Sequence, residues 1–260
     1  MKPLSQMSIR EVETIMKSNP SEEFLKRCAQ DPRQGIRRLV SRKIKSDQTE
    51  KAEKERIEGL LREERELWKN GFLHIAGIDE VGRGPLAGPV MAAACVLPVH
   101  FDLPGLNDSK KLSESKREKL FEQISSQALG YAIGSAEPAE IDLLNILGAT
   151  KLAMKRAVEG LKIRPHFLLI DALELPLLKI PQKGIVRGDS LSASIAAASI
   201  LAKVTRDRLM TELDRIYPHY GFAQNKGYGT QKHLEALEAY GSCPIHRQTF
   251  SPVEQRRSIS

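Results

Sequence analysis

His74-Ile75-Ala76-Gly77-Ile78-Asp79-Glu80-Val81-Gly82-Arg83-Gly84-Pro85 is the stretch on which the fold turns. Its first five residues read as a strand, two carboxylates follow at once, and glycines with a proline then end the ladder. A second strand is expected over residues 90–97 and a short third one over 130–135. Successive strand residues point to opposite faces, so Asp79 and Glu80 would not share a site in an unbroken strand. The chain is therefore expected to break there, at Gly82-Arg83-Gly84-Pro85, where glycine reaches dihedrals closed to other residues.

Outward from this core the pattern alternates between strand and helix. Residues 137–161 read as a helix with Ile141, Leu144, Leu147, Leu152 and Val158 on its apolar side. An apolar run over 167–170 ends in Asp171, a segment over 184–186 follows, and a long helix is expected over about 190–217. The fold class is α/β, a mixed sheet flanked by helices.

Two strands thus deliver Asp79, Glu80 and Asp171 to a sheet edge, where α/β proteins usually place ligands. The placement is informative, because a buried strand interior rejects an unpaired carboxylate unless a cation or hydrogen bonds compensate for lost hydration. Asp189, in Gly188-Asp189-Ser190, stands just before the long helix. It is either that helix's N-cap or the fourth member of a shared cation site. Carboxylates without a nearby His or Cys ligand suit a hard cation, Mg2+ or Mn2+, and such ions serve phosphate chemistry.

Residues 1–70 have a different texture, rich in Lys, Arg and Glu and helical in period. Ser8 and Ser21 mark two helix starts, and a third helix is expected over about 49–69, with Ile57, Leu60, Leu61 and Leu67 as its apolar stripe. Between them lie Lys26, Arg27, Arg33, Arg37, Arg38, Arg42, Lys43 and Lys45, diluted only by Asp31. This cluster either tracks a phosphate backbone or is a solvated face or linker. At 260 residues, the chain has room for one catalytic domain (71–260) and a helical basic extension (1–70).

Hydrophobic and charged fractions of 41% and 28% are those of an ordinary globular protein. A net charge of +7 would attract a polyanion. No apolar stretch approaches a bilayer span and the first residues lack the apolar centre of a secretory signal, so a cytoplasmic location is expected. Cys28, Cys95 and Cys243 are read as reduced and structural.

The blocks Gly77-Ile78-Asp79-Glu80-Val81-Gly82-Arg83-Gly84-Pro85-Leu86-Ala87-Gly88-Pro89-Val90 and Asp108-Ser109-Lys110-Lys111-Leu112 closely resemble ribonuclease HII, the bacterial type 2 ribonuclease H. So do Gly188-Asp189, residues 194–207, Gly227-Tyr228-Gly229-Thr230 and His246-Arg247. The resemblance implies a ribonuclease H-like fold with a five-stranded sheet, and a Mn2+ or Mg2+ site of Asp79, Glu80, Asp171 and Asp189. It implies endonucleolytic hydrolysis of the RNA strand of RNA–DNA hybrids, and nicking at single ribonucleotides embedded in duplex DNA. Gly82, Arg83 and Gly84 would lie at the scissile phosphate and sense the 2′-hydroxyl, and Tyr228 would stack at the RNA-to-DNA junction. Lys110, Lys111, Lys203 and Arg206 are candidates for phosphate contacts, although Lys203 and Arg206 could equally lie in water. His246 receives no role.

Four other readings are weaker. The glycines at 82, 84 and 88 lack the nucleotide-loop pattern, and Ser199 with Lys203 has no oxyanion site to serve as a hydrolase. Ribonuclease HIII and a non-catalytic nucleic-acid clamp are the rivals; Gly82-Arg83-Gly84 with Tyr228 argues against the first, intact carboxylates against the second.

Overall fold

The computed structural model describes residues 2–18 and 20–256 of the chain. Contacts divide it into two compact units, Met1–Glu58 and Gly59–Ser260.

The first unit is helical. Ser8 opens α1 (Ile9–Lys17) with a capping box to Glu11, and Ser21 accepts from the Phe24 amide at the start of α2 (Glu22–Ala29), as their sequence signals predict. The helix expected from about Thr49 instead begins at Gln34 and runs to Leu60 as α3. Charge density hides its early turns: buried Ile36 and Val40, four residues apart, are the apolar face. The basic stretch from Arg37 to Lys45 is therefore helix rather than linker, with Lys43 paired to Asp47. Arg33 is structural, since its guanidinium donates to the Asp31 carboxylate and to the carbonyls of Leu4 and Met7.

The second unit begins with α4 (Arg62–Lys69) and holds β1 (Ile75–Val81), β2 (Val90–Val96), β3 (Gly130–Ala136), β4 (Phe167–Asp171) and β5 (Gln182–Ile185). The sheet order is β3-β2-β1-β4-β5. β1 pairs antiparallel with β2 and parallel with β4, so the sheet is mixed. Its further helices are α5 (Glu114–Gln127), α6 (Pro138–Glu159), α7 (Ala193–Ile216), the short α8 (Phe222–Asn225), α9 (Gln231–Tyr240) and the short α10 (Val253–Arg256). Two without a counterpart in the sequence reading, α5 and α9, open on side-chain caps from Ser113 and Thr230.

Alternation along the strands sorts the layers. Ala76, Ile78, Leu168 and Ile170 join Ala153, Met154 and Ala157 of α6 in one core, while Ile75, Leu169 and Ile185 pack with Ile195 of α7 on the opposite face. Gly77 lets α7 lie directly on β1: a Cβ there would stand 2.0 Å from the Ser194 carbonyl carbon. The alanines at 196–198, all fully buried, continue that close packing.

Helix α6 departs from its expected apolar side. Asn145 breaks it at φ 58°, ψ 170°, and the Asn145 side-chain Oδ1 accepts the amides of Leu147 and Gly148 as a fresh cap. The face rotates at this break, so Leu144 and Leu147 are exposed while Ile141 and Val158 stay buried.

Candidate active site

The parallel pairing of β1 and β4 builds the site. Ile78 stands opposite Ile170, so the next residue on each strand is an acid, Asp79 beside Asp171. Both lie on the face covered by α7, because Ile75, four residues before Asp79, and Leu169, two before Asp171, share that face and pack with Ile195 of α7.

The strand breaks at Gly82, where the break is expected, but this lies beyond both acids and leaves Asp79 and Glu80 in one continuous strand. Its ladder with β2 continues through Glu80 opposite Ala92 and Val81 opposite Met91, and the turn begins only at Gly82, φ +88°. Convergence comes instead from the strand's end. β4 stops at Asp171, and the longer Glu80 side chain reaches round β1 to meet the other two. One oxygen from each of Asp79, Glu80 and Asp171 then falls within 4.8 Å of the others. Asp79 accepts the Glu80 amide at 2.8 Å, Asp171 accepts the Gly188 amide at 2.6 Å, and Arg83 Nη1 lies 3.2 Å from Glu80.

Such crowding costs free energy in the absence of a cation. Burial pushes the Asp79 carboxyl well above the ordinary range, and the neighbouring Glu80 and Asp171 add to it against the pull of the Ser199 hydroxyl. Burial likewise raises Glu80 while Arg83 opposes it. Glu80 Oε2 is buried with no hydrogen-bond partner among the described residues. A buried acceptor left open beside two further carboxylates fits a hard cation.

Asp189 is near this trio and outside it. It belongs to a 3-10 turn, Gly188–Ser190, and the N-cap of α7 is Ser192, not Asp189. Lys110 Nζ stands 3.8 Å from its Oδ2. Burial raises its pKa, with Asp108 and Asp171 adding and Lys110 opposing. Asp108 had no role in the sequence reading beyond its motif; it caps the Ser109–Lys111 turn, which a 2.9 Å contact between the Ser109 and Ser199 hydroxyls anchors to α7.

The proposed nucleic-acid contacts divide. Arg83, Gly84, Lys110 and Lys111 are exposed, and Gly82 is buried. Lys203 pairs with Asp207 at 2.7 Å. Arg206 is not a phosphate contact: it is fully buried, and its guanidinium donates to the carbonyls of Pro89, Ala87 and Lys226. Its charge props backbone that would otherwise be buried without donors.

Arg247, unassigned by sequence reasoning, does the same for the glycine loop. Its guanidinium donates to Gly82, Arg83 and Gly88 carbonyls. Its place in the His246-Arg247 block was the only sequence signal. Tyr228 is half-exposed, its ring edge 3.6 Å from where a Gly84 Cβ would stand.

A mixed five-stranded sheet with acids gathered at the adjoining ends of β1 and β4 defines an α/β nuclease of the ribonuclease H type. Residues 76–253 match the family model described as Ribonuclease HII, and residues 8–68 match the Ribonuclease HII N-terminal domain. A Ribonuclease HII of Desulfitobacterium hafniense is 71% identical over the whole of both chains. The ribonuclease H2 structure from Pyrococcus horikoshii OT3 aligns with TM-score 0.60 at 26% identity, covering 72% of this chain and 98% of that one. Bst-RNase HIII in complex with Mn2+ aligns with TM-score 0.55 at 19% identity, over 72% of this chain and 70% of that one, a likeness of fold alone. The chain belongs to the ribonuclease HII family and is an endoribonuclease of the ribonuclease H kind.

Proposed function

We propose that the chain hydrolyses the RNA strand of RNA–DNA hybrids and nicks duplex DNA 5′ to a single embedded ribonucleotide. The products would carry 5′-phosphate and 3′-hydroxyl ends, and the task is removal of misincorporated ribonucleotides in the cytoplasm. The carrying observation is the convergence of Asp79, Glu80 and Asp171 oxygens within 4.8 Å. Membership of the ribonuclease HII family supports the substrate class.

Asp79, Glu80, Asp171 and, from the adjoining turn, Asp189 would hold Mn2+ or Mg2+, since an all-carboxylate set suits a hard cation. When bound, the ion activates water and neutralises charge that builds on the phosphate. The chain's own groups position the strand. Gly82, Arg83 and Gly84 lie against the scissile phosphate and the 2′-hydroxyl of the adjoining ribose, with the Gly82 and Arg83 carbonyls held by Arg247. Lys110 and Lys111 meet phosphates from the rim, and Tyr228 stacks at the RNA-to-DNA junction. The basic helix α3 adds duplex affinity that salt screens.

The test is cleavage of a DNA duplex holding one ribonucleotide, with and without divalent metal. A single cut 5′ to the ribonucleotide, only with metal, is expected. Cutting that ignores the sugar would overturn the assignment of Gly82-Arg83-Gly84.

A further inference from the structure

Behind Tyr228 lies a buried chain of imidazoles that the chemistry above does not use. His233 Nδ1 is 2.9 Å from the Tyr228 carbonyl oxygen, His233 Nε2 is 3.0 Å from His246 Nε2, and His246 Nδ1 receives the Cys243 amide at 2.9 Å. Both rings are almost wholly inaccessible. Tyr220 and Phe222 hold them, with ring centroids 4.9 Å from His246 and 5.3 Å from His233.

The partners leave one consistent assignment of protons. A carbonyl only accepts, so His233 Nδ1 carries hydrogen; its bare Nε2 must then accept from His246 Nε2–H. That leaves His246 Nδ1 bare, which is what the Cys243 N–H requires. A proton added to His233 Nε2 would set two N–H groups face to face, and one added to His246 Nδ1 would displace the Cys243 N–H and turn instead to the Cys243 sulfur at 3.1 Å or carbonyl at 3.3 Å. Burial also favours the neutral form of both.

The chain ends where specificity is read. Tyr228 is pinned by three backbone bonds or contacts: its amide to the Asn225 carbonyl at 2.9 Å, and its carbonyl to the Thr230 amide at 2.8 Å and to His233. The next residue after His246 is Arg247, whose guanidinium holds the Gly82 and Arg83 carbonyls. One short segment therefore fixes both sides of the cleft, the glycine loop directly and the tyrosine through two histidines.

We propose that His233 and His246 are positioning residues: as a neutral hydrogen-bonded pair they hold Tyr228 against Gly84 and so set preference for a lone ribonucleotide over a ribonucleotide run. This rests on the reading of Tyr228 as the junction residue.

The experiment compares kcat/KM on a duplex with one ribonucleotide against a hybrid with a ribonucleotide run, at saturating Mn2+, for the full chain. Variants are Tyr228→Ala, His233→Phe, which fills the ring space without a donor, and His233→Asn, which keeps a donor at the Nδ1 position. Tyr228→Ala should lower the ratio about tenfold, what one lost base–aromatic stack is worth. His233→Phe should lower it several-fold, with His233→Asn recovering most of the loss. A merely structural role would lower both activities together and leave the ratio alone. An unchanged ratio in His233→Phe alongside a fallen one in Tyr228→Ala overturns the positioning role and spares the tyrosine; an unchanged ratio in Tyr228→Ala overturns both. Should His233→Phe not fold, His246→Gln, which keeps a donor near Nε2, must preserve the ratio while His246→Leu lowers it, and equal ratios in that pair overturn the proposal.

Discussion

Glu64 on α4 accepts the Ser192 hydroxyl at 2.6 Å across 128 residues of sequence, and takes the Ser194 amide at 2.9 Å with the same oxygen. A carboxylate is thereby seated at the N-terminus of α7, where free amides and the helix dipole favour negative charge. The seat lies just past Asp189, so α4 braces the turn that carries the fourth acid. Glu64→Ala leaves a buried hydroxyl and amide without this acceptor and should cost about 2 to 3 kcal/mol of stability. Urea unfolding measures it; a loss under about 0.5 kcal/mol would mean that α4 does not brace α7.

Arg206 illustrates the opposite sort of cation. All of its named partners are backbone carbonyls, on Pro89, Ala87 and Lys226, and burial lowers its pKa to about 10, which still leaves it charged at neutral pH. Arg206→Met should destabilise the protein by roughly 3 kcal/mol, the scale for breaking a buried charged network. The salt dependence of hybrid binding should not change. A slope reduced by about one unit, the mark of a lost phosphate contact, would restore Arg206 to the nucleic-acid interface.

The two arginines explain much of what the sequence left illegible. An apolar run that ends in acid is visible locally, so β1, β4 and their carboxylates could be placed from Ile78-Asp79-Glu80 and Ile170-Asp171 alone. Arg206 and Arg247 act on carbonyls more than a hundred residues away, for example Gly82 and Pro89. No periodicity encodes that. Likewise the sequence left a helix cap open for Asp189 beside its place in the cation site, and Ser192 three residues later takes the cap and leaves Asp189 in a tight turn. The break in α6 was hidden for the same reason: Asn145 is one polar residue in an otherwise helical pattern, and only the exposed Leu144 and Leu147 reveal it.

Gly77 tests the layer contact directly. With the Ser194 backbone 2.0 Å from any added Cβ, α7 must lift off β1 in Gly77→Ala. Overpacking of a core commonly costs about 1–3 kcal/mol, and here the obstruction is backbone, so the upper end or a failure to fold is expected. Circular dichroism and thermal unfolding decide; a wild-type Tm would refute the close approach.

Asp79 should trade stability for chemistry. Without metal its buried carboxylate is disfavoured by burial and by Glu80 and Asp171, so the metal-free protein loses stability as pH rises through the raised pKa of that group. Asp79→Asn removes the charge and should stabilise the metal-free chain by about 1 kcal/mol at pH 7. The same substitution should reduce cleavage more than about a thousandfold while hybrid binding persists, and the rise in Tm with Mn2+ expected of the wild type should be lost. Retained metal-dependent cleavage in Asp79→Asn would remove Asp79 from the reaction.

The histidine pair predicts a second pH effect of opposite sign. His246 is pushed down to about 4 by burial and by its neighbour His233, whereas an imidazole in the unfolded chain titrates near about 6.5. Above that value neither state binds the proton and stability is complete. Between about 6.5 and 4 the unfolded chain takes up a proton that the folded one refuses, so stability falls as pH falls, by on the order of 3 kcal/mol, and levels off below. Asp79 and Glu80, whose carboxyls burial raises, pull the other way, so the informative quantity is the difference between wild type and His246→Gln. Denaturant unfolding of the metal-free proteins at pH 7.5 and 5 should show the wild type losing more stability than the variant over that interval; parallel losses would mean that His246 takes up its proton in the folded state as readily as in water.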